Sequence, residues 1–387
     1  MDISLLEALR ADPSLQARAA AALAEKGHRA ALALRRDGAA PDLAAAALTL
    51  AALREKAKPK FGDRAETMYF TRPTLEQATR WPVARRRAAR LAGRSDEVTD
   101  LCCGLGTDAL AFAEAGLRVT AVDADRDTAA LARANAEALG MDIDIRVGDA
   151  LEAVLKGAVF ADPARRSGGT RTFNPAAYSP PLDALLARLR EAESAAVKLG
   201  PGIGHEWIPE GAEAEWVSVD RDVVEACLWL GGAAEVPRRA SVFREGEWHE
   251  LKGDGRARAE TGSVAAYLYE PDGAVIRAGL VAELAARLDA RTAHPDIAYL
   301  YTDRLTHTPF ARAWKVEEVL PLHPRKLRTC LEARKVGSLT IKQRGTGLDP
   351  AELRRRLKLR GPNRATLVAT RIGKAHSALL CSEVRPV

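Results

Sequence analysis

Strands and helices alternate along the chain from residue 97 to residue 199, and this alternation constrains the fold more than any other feature. Apolar runs of strand length are separated by segments of helical periodicity. The predicted strands cover 97–101, 118–122, 143–147, 158–161 and 195–199, and the predicted helices cover 107–115, 127–139 and 182–190. Strands that alternate with helices of this length predict an α/β fold built on a parallel, doubly wound sheet.

Two long apolar runs follow, at 214–219 and 223–230, joined by the polar turn Asp220-Arg-Asp222. We expect them to form an antiparallel hairpin at one edge of the sheet. After Gly232 the pattern restarts with strand-like runs at 239–248 and 265–269 and a helix at 280–288. The pattern of the C-terminal part of the sequence predicts helices at 325–333 and 350–357 and strands at 338–342 and 365–371.

With 387 residues the chain exceeds one ordinary domain. Residues 1–60 are rich in Ala and Leu at helical spacing and predict an N-terminal helical subdomain, which ends at a charged, Pro-containing breaker over 56–60. The α/β domain with the alternating pattern covers 61–233 and includes a predicted helix at 83–91. An intervening α/β segment covers 234–315, and a basic α/β domain covers 316–387.

Charge is unevenly distributed along the chain. Residues 312–387 contain 18 Lys and Arg against 6 Asp and Glu, a net charge of +12, and since the whole chain carries +6 the remainder carries −6. A phosphate backbone suits such a basic module, because each neutralised phosphate releases a counterion. The alternative is a solvated basic face. For an RNA partner, the candidate contacts here are Lys342, Arg344, Arg354 and Arg355.

A glycine-containing loop follows the first strand of the alternating region, in Asp100-Leu-Cys102-Cys-Gly104-Leu-Gly106-Thr107-Asp108. Open α/β folds bind ligands at this carboxyl edge of the sheet, and Gly104 and Gly106 allow the backbone to approach a ligand closely. The same residues fit a dinucleotide fingerprint. However, the Asp100 carboxylate would repel a pyrophosphate and would attract a cationic amino acid with a sulfonium, which favours S-adenosylmethionine over NAD.

The next two strands also end in acids. Asp123 is suited to a bidentate hydrogen bond with ribose hydroxyls, a role that it would have whether the ligand is NAD or S-adenosylmethionine. Asp149 is either an acceptor for the adenine amino group or a helix N-cap.

The fourth strand ends at Asp162-Pro163-Ala-Arg165, where proline stops the strand and directs the carboxylate into the cleft. We predict that Asp162, Pro163 and Arg165 form the catalytic side of the site. Arg166 and Arg171 flank a Gly-Gly loop that would either grip a substrate phosphate or be a plain surface loop. Lys198, at the end of the fifth strand, would bind substrate or extend its ammonium to solvent.

Together these strand-end motifs resemble the class I S-adenosylmethionine-dependent methyltransferases, whose Rossmann-like sheet ends in an antiparallel hairpin. More narrowly, Leu339-Thr-Ile-Lys-Gln-Arg-Gly345, Glu352-Leu-Arg-Arg-Arg-Leu357 and the run 365–370 resemble a bacterial family of presumed RNA methyltransferases with a THUMP-like C-terminal domain. That resemblance implies S-adenosylmethionine as cofactor and RNA, either rRNA or tRNA, as partner. It also implies that Phe70, Thr71 and Gln77 form a lid over the methionine end, for which a plain connector is the alternative.

Two departures from related motifs restrict the chemistry. Amine-directed enzymes carry an aromatic residue after their Pro-Pro pair, and here Ala164-Arg165 takes its place. Uracil-C5 methyltransferases need a cysteine beside the fifth strand, whereas this chain has Val197-Lys-Leu-Gly-Pro-Gly202. These departures leave a nitrogen of an RNA base as the favoured acceptor. The rivals are a methyltransferase for a small molecule or a protein, and a non-catalytic cofactor- or RNA-binding protein.

The remaining features exclude other classes of protein. The five Cys residues have no C-x-x-C spacing, and the His residues have no metal-ligand spacing, so we expect a reducing cytoplasm and no metal site. No run approaches the ~20 apolar residues of a membrane span, so no membrane partner is expected. The oligomeric state does not follow from these patterns.

Overall fold

The structure, a computed structural model, describes residues 3–164, 166–167, 170–171 and 174–384, with the backbone alone for 166, 167, 170 and 171. The chain forms two compact units. The first consists of Met1–Ala212 and Cys227–Glu235, and the second consists of Glu213–Ala226 and Val236–Val387. Among the described residues, no helix is long and apolar enough to cross a membrane.

The first unit begins with helices that pack on one another through Ala and Leu side chains. They are α1 (Ile3–Ala11), α2 (Pro13–Lys26), α3 (Ala30–Arg36), α4 (Pro41–Phe61), α5 (Arg72–Gln77) and α6 (Trp81–Ala92). The predicted breaker at 56–60 is wrong, because α4 continues through Pro59 to Phe61. Pro59 lies in the last turn, where its missing N–H removes only one helical hydrogen bond, the one to the Glu55 carbonyl, and Phe61 at the end of the helix packs on Phe70 at 5.4 Å between ring centroids.

The predicted parallel α/β sheet is confirmed in the first unit. Its elements are β1 (Glu97–Leu101), α7 (Thr107–Glu114), β2 (Arg118–Asp123), α8 (Arg126–Ala138), β3 (Asp144–Val147), β4 (Ala158–Ala161), the short β5 (Arg166–Ser167) and β6 (Thr170–Arg171), α9 (Leu182–Leu189) and β7 (Ser194–Leu199). The strand order is β3-β2-β1-β4-β7. The register pairs Leu101 with Val122 and with Ala161, and Ala161 with Val197. The strands therefore end at one edge of the sheet, where their terminal side chains meet.

The two strands after β7 form the predicted hairpin, but not at a sheet edge. They are β8 (Glu213–Val219) and β9 (Asp222–Gly231), and the positive φ angles of Asp220 (49°) and Arg221 (74°) correspond to a type I′ turn. β9 begins in the second unit and ends in the first. The expected edge position is wrong, because β8 also pairs in parallel with β10 (Arg238–Arg244). The run at 239–248 is likewise not one strand, since it turns at Glu245-Gly246 into β11 (Glu247–Gly253).

The rest of the second unit is built on a seven-stranded sheet of order β13-β14-β12-β15-β18-β17-β16. Its strands and helices are β12 (Tyr267–Pro271), α10 (Gly273–Ala278), α11 (Val281–Leu288), β13 (Arg291–Thr292), β14 (Leu300–Thr302), β15 (Ala311–Pro321), α12 (Pro324–Ala333), β16 (Val336–Gln343), α13 (Pro350–Leu357), β17 (Asn363–Ile372) and β18 (Ala375–Glu383). Leu side chains of α12 and α13 are buried in the same cluster as Leu339 and Leu367. The two helices therefore cover the β16–β17 end of this sheet.

Candidate active site

The loop between β1 and α7 turns sharply at the sheet edge. Cys102, Gly104 and Gly106 have positive φ angles of 62°, 60° and 89°, a conformation that glycine adopts without steric cost and cysteine does not. A Cβ on Gly104 would meet nothing within 4 Å, whereas one on Gly106 would touch Ala132 Cβ at 3.4 Å. Gly104 thus leaves open space at the cleft, and Gly106 allows α7 to pack closely on α8.

Asp123, at the end of β2, holds this loop in place. Its Oδ2 accepts a hydrogen bond from the Gly104 N–H at 2.9 Å, and its Oδ1 accepts one from the Asp125 N–H at 3.0 Å. Burial raises the pKa of this carboxyl above its ordinary value, while the two backbone donors oppose that rise. A carboxylate has about four acceptor positions, so each oxygen keeps capacity for a ribose hydroxyl.

Asp100 is fully buried beneath the loop, and its environment fits a cationic ligand. Among the described residues, neither of its carboxylate oxygens has a hydrogen-bond partner. Burial, together with the carboxylates of Asp108 and Asp162, raises the pKa of Asp100 well above its usual range. A buried, unsatisfied carboxyl is costly, and the positive charge of S-adenosylmethionine in the cleft lined by the neighbouring Cys102 would lower that cost through space, without direct contact. The residues present therefore fit this cofactor.

These groups surround a cleft of ≈ 610 Å³, a size typical of a small-molecule site. The predicted site residues that line it are Gln77, Cys102, Gly104, Thr107, Asp108, Asp123, Asp149, Asp162 and Pro163. Asp149 accepts the Leu151 N–H at Oδ1 (2.8 Å), so it caps a turn there and not a helix. The structure does not place Asp100, Gly106, Phe70 or Thr71 on the wall of the cleft.

The segment before the cofactor loop covers one side of the cleft. Phe70 is buried against Phe61, and Thr71 is the N-cap of α5, where its side chain accepts the Thr74 N–H at 3.3 Å. These two residues fix the position of α5. Gln77 and the following Ala78 and Thr79 form the wall itself.

Asp108 belongs to a buried network that the sequence did not predict. The Arg87 guanidinium, on α6, donates to Asp108 Oδ1 and lies 4.4 Å from the Phe160 ring centroid. The Thr79 hydroxyl donates to Asp108 Oδ2 at 2.7 Å. Only 2% of the Arg87 side chain and 7% of the Asp108 side chain are exposed. Asp108 thus connects the start of α7 to α6 and to the wall of the cleft.

Asp162 lies just after β4, directly beside Lys198 on β7. Lys198 Nζ donates to Asp162 Oδ2 at 2.5 Å and to the Thr79 hydroxyl at 3.0 Å. The Lys198 side chain is 6% exposed, whereas the Asp162 side chain is 30% exposed. Among the described residues, Asp162 Oδ1 has no hydrogen-bond partner in the structure. The buried ammonium therefore orients a carboxylate that lines the cleft, and Lys198 does not extend to solvent.

The structure describes only part of the predicted substrate loop. Arg165 lies outside the described residues, while the backbones of Arg166 and Arg171 pair with each other between β5 and β6. The far wall of the cleft is formed by Pro163, Ser179, Pro180 and Pro181, of which the last three were not predicted. Ser179 is held there by backbone hydrogen bonds to Ala164 in both directions, each at 3.0 Å.

On the second unit, most of the predicted RNA contacts have intramolecular partners. Lys342 and Arg344 lie 2.5 Å and 3.8 Å from the carboxylate of Glu270, and Arg354 donates to the Leu339 carbonyl at 3.2 Å. Arg355 is exposed. The described part of this unit offers other exposed basic side chains without a recorded ion pair, and we call four of them that lie near one another along 335 and 358–364 the basic surface: Lys335, Lys358, Arg360 and Arg364. The chain from Lys358 to Arg364 passes beside Lys335, whose carbonyl accepts the Asn363 N–H at 3.1 Å.

Family profiles match both parts of the chain. One described as a methyltransferase domain matches residues 98–161, and one described as THUMP domain-like matches residues 311–383. A protein from Porphyromonas gingivalis W83 assigned as a methyltransferase has the same fold, with a TM-score of 0.74 and 23% identity over 90% of this chain and 92% of that one.

Two proteins of Mycobacterium tuberculosis, from strains H37Rv and CDC 1551, are similar to the chain over most of its length. Each is named an uncharacterized S-adenosylmethionine-dependent methyltransferase, and each is 41% identical over 333 residues, which is 83% of this chain and 91% of the relative. Such identity over most of both chains shows a common family. The chain is therefore a member of the S-adenosylmethionine-dependent methyltransferases, an enzyme that uses S-adenosylmethionine as methyl donor and carries a THUMP-like domain.

Proposed function

We propose that this enzyme methylates a nitrogen of a base in RNA, either rRNA or tRNA. The observation that carries the RNA assignment is the basic surface of Lys335, Lys358, Arg360 and Arg364, whose exposed charges have no recorded ion pair among the described residues. Unpaired cations at a protein surface attract a phosphate backbone without reading its sequence. All four residues lie within the part that matches a THUMP-like domain, and the family resemblance implies RNA as its partner.

Asp162 is the residue we assign to the acceptor nitrogen. S-adenosylmethionine, when bound, would supply the methyl group from its sulfonium, with a neutral thioether as the leaving group. Asp162 Oδ1 accepts the N–H of the base, which orients the nitrogen lone pair, and it takes the proton that the nitrogen loses as the N–CH₃ bond forms. Lys198 fixes Oδ2, so the carboxylate need not reorient during the reaction.

Nitrogen is favoured over ring carbon because the cleft lacks an activated thiol among its described residues. Methylation of a pyrimidine carbon requires a cysteine thiolate to attack the ring first. Cys102 lines the cleft, but burial and the carboxylates of Asp123 and Asp162 raise the pKa of its thiol. The thiol form, which is a poor nucleophile, therefore predominates.

Methyl transfer to fractionated RNA tests the proposal. Purified enzyme and labelled S-adenosylmethionine are incubated with size-fractionated RNA from a strain that lacks the gene, and the label is followed into nucleosides. We expect label in one RNA class, on a base nitrogen. Measured cofactor binding with no label in any RNA fraction would contradict the proposal and favour a small-molecule or protein acceptor.

The basic surface has a separate test with a charge-matched control. We expect Lys358→Glu with Arg360→Glu to weaken RNA binding and to reduce the dependence of log K on log salt by about 2, since each phosphate contact contributes about 0.7–0.9. The control, Arg18→Glu with Lys26→Glu on α2, makes the same change in net charge at exposed positions. Equal losses in both variants would show that only net charge matters.

A further inference from the structure

The carbonyl end of α5 forms one wall of the cofactor cleft, through Gln77, Ala78 and Thr79. α5 has only six residues, and a helix this short is marginal by itself. Its last carbonyls also have no partner within the helix. This wall therefore depends on groups outside α5 for its shape.

Two lysines supply those groups from different elements. Lys60, in the last turn of α4, donates through Nζ to the carbonyls of Leu75 (2.7 Å), Glu76 (3.2 Å) and Ala78 (3.0 Å). Lys198 Nζ lies 3.4 Å from the Gln77 carbonyl and 3.0 Å from the Thr79 hydroxyl. Each residue from 75 to 79 thus accepts a contact from one of the two ammonium groups. A positive charge at this place is also stabilised by the negative, carboxyl-terminal end of the helix dipole.

The protonation state of Lys60 suits this arrangement. An ammonium has three N–H donors, which matches the three carbonyls it contacts. Burial, with Lys198 and Arg80 nearby, lowers the pKa of Lys60 to about 8, so the ammonium still predominates at neutral pH. Lys60 is not among the residues that line the cleft, so any effect on the cofactor passes through α5.

We propose that Lys60 is a positioning residue for cofactor binding. It holds the end of α5 in the shape that S-adenosylmethionine binds, so the ordering of this wall does not have to occur at the moment of binding. Lys198 performs the same task from the other side while it also orients Asp162. Lys60 is the better residue to test, because it contacts neither the cleft nor Asp162.

Binding of S-adenosylhomocysteine to the full-length protein, measured by calorimetry, tests the proposal whatever the methyl acceptor is. We expect Lys60→Met, which keeps the aliphatic stem, to weaken binding by about tenfold, which corresponds to about 1.4 kcal/mol. Lys60→Arg should restore most of the affinity. The control is Lys58→Met, which removes an exposed lysine two residues away that pairs with Glu55 at 2.8 Å and should leave binding unchanged.

Hydrogen exchange separates positioning from general destabilisation. In Lys60→Met, amides of residues 72–79 should exchange faster, while those of residues 41–55 in α4 should keep their protection. If Lys60→Met does not fold, Lys60→Gln, which keeps an amide donor, takes its place with a smaller expected loss. Wild-type affinity in a folded Lys60 variant would overturn the proposal, as would equal losses in the Lys60 and Lys58 variants.

Discussion

Removing the Arg87 side chain should destabilise the first unit far more than removing its neighbour Arg85. The Arg87 guanidinium and the Asp108 carboxylate are 2% and 7% exposed. Loss of one partner from so buried a pair leaves an uncompensated charge, which costs about 3–5 kcal/mol. Arg85 is 65% exposed and lies 3.6 Å from Glu114, and an exposed pair of this kind contributes about 0–1 kcal/mol.

Thermal unfolding measures this difference directly. At about 2–4 °C per kcal/mol for a domain of this size, Arg87→Met should lower the melting temperature by roughly 6–20 °C, and Arg85→Met by no more than about 4 °C. Adding Asp108→Leu to Arg87→Met should recover much of the loss, because no buried charge then lacks its partner. Similar melting temperatures for the Arg87 and Arg85 variants would refute the account of this network.

Two further predictions concern the cofactor side of the cleft. Asp123→Ala should weaken S-adenosylmethionine binding by at least about tenfold in calorimetry, because it removes the carboxylate that we assign to the ribose and its hydrogen bond to the Gly104 N–H, which holds the loop; unchanged affinity would remove Asp123 from the cofactor site. Because burial raises the pKa of Asp100, the free native protein keeps a proton that the unfolded chain releases, so its stability should fall as pH rises through the interval between the two pKa values. Scanning calorimetry should show this fall in the wild type and not in Asp100→Asn, and the same pH profile in both would contradict it.

The parallel sheet could be predicted from sequence because each strand ends at an unambiguous signal. β1 and β4 have the predicted bounds, since Gly104 and Asp162-Pro163 follow them closely. The sequence of the β8–β9 hairpin, by contrast, does not indicate which strand will lie beside it in the sheet. Nothing local to 214–230 indicates that β10 will pair with β8, because that pairing is set by the whole sheet. Similarly, Pro59 predicts the end of a helix by propensity, yet packing of Phe61 allows α4 to continue.

The side-chain networks of the site depended on contacts distant in sequence. Arg87 meets Asp108 because α6 packs on α7, and no pattern within α6 distinguishes it from Arg85. Lys198 was within reach of prediction, since strands β4 and β7 are neighbours and Asp162 and Lys198 each follow a paired residue in the same register. For the second unit, the sequence alone shows the excess of basic residues over 312–387. It does not reveal that one of them, Lys342, pairs with Glu270 and is therefore less available to an RNA partner.

A role of Asp162 in methyl transfer can be separated from a role in cofactor binding by one comparison. The measurement is methyl transfer by wild type and Asp162→Ala to the same RNA fraction at saturating S-adenosylmethionine, with the cofactor dissociation constant determined for both proteins. The account predicts that Asp162→Ala loses turnover by about 10²-fold or more, the usual contribution of a positioned acid or base, while its cofactor affinity stays close to that of the wild type. Retained turnover would contradict the assignment of Asp162 to the acceptor nitrogen, as would a loss of cofactor affinity that accounts for the whole effect.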